Sequence, residues 1–170
     1  MEKRAQIWVE TVIYTLIGLV IIGAIVAIST PKIAQMSDKI IIEQATDSLN
    51  KINEQFRNTL TYHGSQMELF VSVKKGEYTI DSLNNYVYYT LSDTGLKYSE
   101  LNQQFKEGYV SILTTQLPSK KYSIRLLLNY STFNITYGSK DSNKIFTAAP
   151  TPYRLLILNV DGKNIDFRSA

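Results

Sequence analysis

Residues 7–28 are almost continuously apolar, broken only by Glu10, Thr11 and Thr15, and no other feature of the sequence restricts the fold as strongly. As a helix these 22 residues rise about 33 Å at ~1.5 Å per residue, against a hydrocarbon core of ~30 Å, so the segment is long enough to cross a bilayer. Lys3 and Arg4 precede it, and an excess of positive charge marks the cytoplasmic side, so the rest of the chain is expected to be exported. A cleavable secretory signal has a shorter apolar region ending in a small-residue cleavage site. Here the run is longer and Pro31-Lys32 follows, so the helix is expected to stay on the working protein.

Beyond the apolar run, Ile33, Met36, Ile40, Ala45, Leu49, Ile52, Phe56 and Leu60 fall mostly three or four apart, with Ile41 and Ile42 widening the stripe. That is the spacing of one helical face. Asp38, Lys39, Glu43, Asp47, Lys51, Glu54 and Arg57 fill most other positions, so this part reads as an amphipathic helix continuing the first. The leading surface for the stripe to bury against is the chain's own sheet, with a partner as the alternative. Pro31 lacks a donor and its ring crowds the carbonyl of Ala27, so a bend is expected there. The helix is expected to end near His63-Gly64, where glycine can take the left-handed conformation.

From Gln66 the period changes to two, as in Met67, Leu69, Val71, Val73 and again in Tyr122, Ile124, Leu126, Leu128, Tyr130. These alternations predict strands, with further candidates at 86–91, 109–115, 133–137 and 153–160. Turn signals separate them at Lys75-Gly76, Asp93-Thr94-Gly95, Pro118-Ser119, Gly138-Ser139 and Asp161-Gly162, the last a hairpin signal. Residues 96–106 fit a short helix or a loop. The expected fold is α+β: a long kinked N-terminal helix, transmembrane and then amphipathic, followed by an antiparallel β-sandwich or barrel-like head. The expected divisions are 1–5 as a removable leader, 6–64 as the helix and 65–170 as the head.

The stretch Lys3-Arg4-Ala5-Gln6-Ile7-Trp8-Val9-Glu10 places a charged pair, a small residue and a glutamine directly before the apolar run, with an acid in its first turns. This resembles the class III signal peptide of archaeal type IV pilins. The resemblance implies cleavage by a membrane-embedded aspartic peptidase, the prepilin peptidase, at the Ala5–Gln6 bond, with the apolar helix left on the product. It also implies that Glu10 registers one subunit against the next, and that a pilus assembly ATPase and its platform are partners. Gln6 after Ala5 favours the archaeal branch over the bacterial one. Glu10 favours adhesion-type pilins over subunits of archaeal motility filaments.

Polymerisation has a physical argument of its own. Positions 12 to 28 hold eleven Val, Leu or Ile residues, and exposing them to water costs about 17–33 kcal/mol at ~1.5–3 each. Such a helix leaves the bilayer only if neighbours bury it, as parallel helices in a filament core do. Gly18, Gly23, Ala24 and Ala27 are small enough for close approach. A buried Glu10 then needs a cation, and the amine freed at Gln6 of an adjacent subunit is placed to supply it. With Pro31 these residues form the expected assembly set.

Other chemistry is thinly represented. Cysteine is absent and His63 is the single histidine, so thiolate metal sites are excluded and His63 reads as a helix-end or surface residue. Asp161 and Asp166 flank a hairpin turn without a nucleophile or base beside them, and no phosphate loop appears. No catalytic residue and no cofactor is expected. The formal charge of +3 is spread along the chain with no basic run, so no nucleic-acid partner is implied. The tyrosines alternate within strands, which favours packing over a sugar-binding face. Two sequons, Asn129-Tyr130-Ser131 and Asn134-Ile135-Thr136, are candidate glycosylation sites on an exported head, Asn134 favoured because Phe133 and Ile135 should point inward beside it. The expectation is a homopolymeric surface filament subunit held in the cytoplasmic membrane before assembly, serving adhesion. The alternatives are a monomeric membrane-anchored surface-binding protein and a minor pilin-like subunit of an export or uptake machine.

Overall fold

A computed structural model describes residues 2–169, with side chains described from Trp8 onward. The side chains of the expected processing pair, Ala5 and Gln6, lie outside the described residues. One helix, α1 (Glu2–Thr59), precedes ten strands. The chain divides into two compact units, Met1–Ser37 and Asp38–Ala170. The part of the helix from Asp38 onward therefore belongs with the strands.

In the first unit the helix runs through Pro31 without interruption. Proline removes one backbone donor, and the helical hydrogen bonds on either side of it carry the helix past it. Thr15 and Thr30 each donate their hydroxyl to the carbonyl four residues back, Thr11 and Val26 respectively, at 2.8 Å. Their polar groups are thus satisfied inside the helix, as an apolar medium requires.

In the second unit the strands are β1 (Gln66–Val71), β2 (Glu77–Asp81), β3 (Tyr86–Thr94), β4 (Gln104–Glu107), β5 (Val110–Gln116), β6 (Tyr122–Asn129), β7 (Asn134–Tyr137), β8 (Lys144–Thr147), β9 (Tyr153–Asn159) and β10 (Asn164–Ser169). They form two sheets, ordered β1-β9-β10-β7 and β4-β5-β6-β3-β2-β8. All pairings are antiparallel except β10 with β7. The architecture is α+β, with a long N-terminal helix and a sandwich-like pair of sheets, as the change of period implies. Residues 104–107, within the stretch expected to be helix or loop, instead form the edge strand β4, whose side chains are all exposed and whose period is too short to read. Three of the four sheet edges, β4, β7 and β8, are only four residues long, which limits the unpaired backbone offered to another chain.

The core is one cluster joining Ile42, Ala45, Leu49, Ile52 and Phe56 of the helix to inward residues of both sheets. Phe56 stacks on Tyr130, which follows β6, with ring centroids 4.1 Å apart, and faces Phe167 of β10 at 6.4 Å. The apolar stripe expected along the helix is covered only in part. Ile33, Met36 and Ile40 are exposed, and the buried face begins at Asp38 and Ile42. Asp38 accepts from Lys75 Nζ and from Thr94 Oγ1, both at 2.5 Å. The register of β3 against β6 shifts between Leu91 and Thr94, and this bulge turns Thr94 inward to reach the acid.

The helix ends at Thr59, not near His63-Gly64 as expected. Asn159, at the end of β9, decides the difference. It donates Nδ2 to the carbonyls of Thr59 and Tyr62, both at 3.0 Å, while its own carbonyl accepts from Gly64 N–H at 2.8 Å. The final turn is satisfied from across the fold, and the chain is released earlier than its own residues would dictate. Gly64 does take a positive φ of 76°, but in the connection to β1.

Candidate assembly helix

Among its described residues the first unit presents an exposed apolar surface. Among the described residues one helix is long and apolar enough to cross a membrane, and its apolar window is not buried by the rest of the chain. The eleven Val, Leu and Ile residues at positions 12 to 28 range from 43% exposed at Val12 to 70% at Val20 and Ile28. Water therefore meets each of them unless a bilayer or another protein surface intervenes.

Glu10 lies within this helix, is exposed, and has no hydrogen bond or ion pair among the described residues. Its expected partner, the amine freed at Gln6 of a neighbour, falls outside the described side chains. Space is open above Gly18 and Gly23, where a Cβ would meet nothing within 4 Å. At 100° per residue the two glycines point about 140° apart, so they do not form one groove. Gly23 and Ala27, one turn apart, do share a face. Pro31 follows on the same helix. The expected assembly residues thus lie along one element, with the glycines on different faces of it.

On the head, Asn129 and Asn134 are both exposed, and Ile135 beside Asn134 is fully buried as the alternation implies. The two amides differ in their bonding. Asn134 Nδ2 donates to Asn164 Oδ1 at 2.8 Å, whereas Asn129 Oδ1 accepts from Ser131 N–H at 2.9 Å. His63 is exposed and packs against the Asp161-Gly162 hairpin, where a Cβ on Gly162 would come within 2.8 Å of the imidazole. Asp166 is buried and accepts from Thr136, Ser139 and Arg168, so it is a structural acid joining β10 to β7 and the turn after it. Sequence reasoning missed Asp38, Asn53 and Asn159 as buried polar residues, because a polar residue on a helix face or at a strand end gives no sign of its distant partner. Among the described residues no group of three or more His, Cys, Asp or Glu is placed to hold a metal ion.

No protein-family model, curated protein or solved structure matches this chain. What the chain can be assigned to rests on its own residues: an α+β protein carrying an exposed apolar helix of membrane-spanning length.

Proposed function

We propose that this chain is the structural subunit of a surface filament of the archaeal type IV pilus kind, polymerising through its N-terminal helix after removal of residues 1–5. The observation that carries the reading is the exposure of the eleven aliphatic residues between positions 12 and 28. Burying them is worth about 17–33 kcal/mol, far more than a soluble monomer can forgo. A bilayer meets that requirement before assembly, and neighbouring helices meet it afterwards. The exposed Ile33, Met36 and Ile40 extend the apolar surface beyond the membrane-spanning length, which supports packing between subunits over a simple anchor. Glu10 inside the same helix supports it further, since an anchor gains from an apolar residue there.

In this reading the subunit is made as a membrane precursor with its N-terminus in the cytoplasm and becomes an extracellular homopolymer serving adhesion. The sequons make the head a candidate glycoprotein. The deciding experiment is electron microscopy of filaments sheared from producing cells, combined with mass analysis of their N-terminus. Filaments whose chain begins at Gln6 are expected. An intact Met1, a cut beyond Ile28, or a chain found only as a membrane monomer would overturn the reading, the last in favour of a surface-anchored binding protein.

A further inference from the structure

The geometry points to Asn129 as the attachment site of an N-linked glycan whose first sugars lie in the cleft that Asn129 borders. This rests on the export of the head in the reading above, not on polymerisation. Asn129 closes β6, and its Oδ1 accepts from the backbone N–H of Ser131, which holds the sequon in a tight turn with the side chain exposed. Among the described residues neither Asn129 Nδ2 nor the Ser131 hydroxyl has a hydrogen-bond partner. The second sequon is bonded at both ends. Asn134 Nδ2 is held by Asn164, Thr136 Oγ1 donates to Asp166 Oδ1 at 2.8 Å, and both residues lie in the paired strand β7. Modification needs the amide nitrogen as nucleophile and the hydroxyl two residues on. A glycosyl phosphate supplies the sugar: the bond from C1 to phosphate oxygen breaks, C1 joins Nδ2, the phosphate leaves with the electron pair, and Nδ2 gives up one proton.

The cleft beside Asn129 has a volume of about 400 Å³ and is lined by the helix residues Asn53, Phe56 and Arg57, with Leu60 just beyond them, and by Tyr130 and Phe133. That volume lies in the range of small-ligand sites, roughly 300–1,000 Å³. Phe133, half-buried and packed at 5.1 Å between ring centroids against the buried Phe56, offers an aromatic ring for the apolar C–H face of a sugar. Asn53, only 7% exposed, accepts from Tyr130 Oη at 3.2 Å, and its own Nδ2 is buried without an acceptor. Burial raises the Tyr130 phenol above its ordinary value, so it stays a neutral donor and fixes the Asn53 amide. Arg57, stacked over the Tyr109 ring at 5.4 Å and without an ion pair among the described residues, adds donors at the rim.

The test uses full-length chain extracted in detergent from the membranes of the producing cell, so no filament is needed. Peptide mass analysis should find a glycan on Asn129 in the wild type and in Asn134→Gln, and lose it in Ser131→Ala. Ser131→Ala removes the sequon but keeps the backbone N–H that holds Asn129, so the turn is preserved. Seating is read from melting temperature: the glycosylated wild type should melt above Ser131→Ala, and this difference should vanish when both carry Phe133→Leu. An unmodified Asn129, or glycan on Asn134 alone, overturns the proposal. A melting difference that survives Phe133→Leu overturns the seating, since the sugar then lies off the cleft. Cells that glycosylate Asn129 yet make no filament leave this proposal standing and sink the filament reading.

Discussion

Asp166 is only 1% exposed and is surrounded by donors: Thr136 Oγ1 at 2.8 Å, Ser139 N–H at 2.7 Å and Arg168 Nε at 2.6 Å. Burial pushes its carboxyl upward, but the bonds from Ser139, Arg168 and Thr136 together outweigh burial and leave it below the ordinary value of 3.8. A carboxyl lowered on folding contributes stability in full above the unfolded value, and loses it as pH falls through the lower folded one. Asp166→Asn should therefore destabilise the full chain in detergent by about 1.5–3 kcal/mol at pH 7, read by urea unfolding. The gap from wild type should close only below the ordinary value of 3.8. Glu10 poses the opposite case, an acid with no partner among the described residues. Glu10→Val should insert, be processed and keep a folded head, because nothing in the head depends on it. In a filament the same change strands the neighbour's amine. Processed subunit should accumulate in the membrane while sheared filament falls, and normal filament yield would make Glu10 a bystander.

The helix carries two faces of different kinds on one element. Before Asp38 its apolar residues are exposed all round, and after it Ile42, Ala45, Leu49, Ile52 and Phe56 form a buried stripe at helical spacing. What closes this second part is not a residue of the helix but Asn159, wholly buried at the end of β9. Its side chain donates to Thr59 and Tyr62 and accepts from Gly162 N–H at 2.6 Å, tying the helix end to the hairpin before β10. Gly162 takes φ of 85° there, a conformation that glycine adopts without strain. Asn159→Ala leaves two carbonyls and an N–H without that partner, and should cost about 2–3 kcal/mol. Hydrogen exchange should show the loss first at residues 56–64. Protection unchanged in that window would mean that solvent already satisfies the helix end.

For the whole molecule, the division at Asp38 implies that the head holds its core without the apolar segment, since every residue of the buried cluster lies beyond Ser37. A chain of residues 32–170 should be a soluble monomer with the strand-rich circular dichroism of the head, whereas the full chain should need detergent or assembly. Size-exclusion chromatography decides it, and aggregation of the fragment would show that the first unit supports the head. Much of this organisation was legible along the chain. A continuous apolar run, a helical stripe and then alternation are short-range patterns, and they located the membrane-length helix and strands such as β6, where Ile124, Leu126 and Leu128 are buried in turn. Short or irregular strands left little pattern. β2 has four successive buried residues and β4 has none, so neither alternates. Apart from Gly162 beside Asn159, the side-chain partners of Asp38, Asn53 and Asn159 lie 37 to 100 residues away in sequence. The sequence by itself determined that the chain carries a long apolar helix ahead of a β-rich head, because periodicity and hydrophobicity act between near neighbours. Only the tertiary structure decided where that helix stops, which of its residues the head covers and which asparagine amide is left free, because each depends on groups that folding alone brings together.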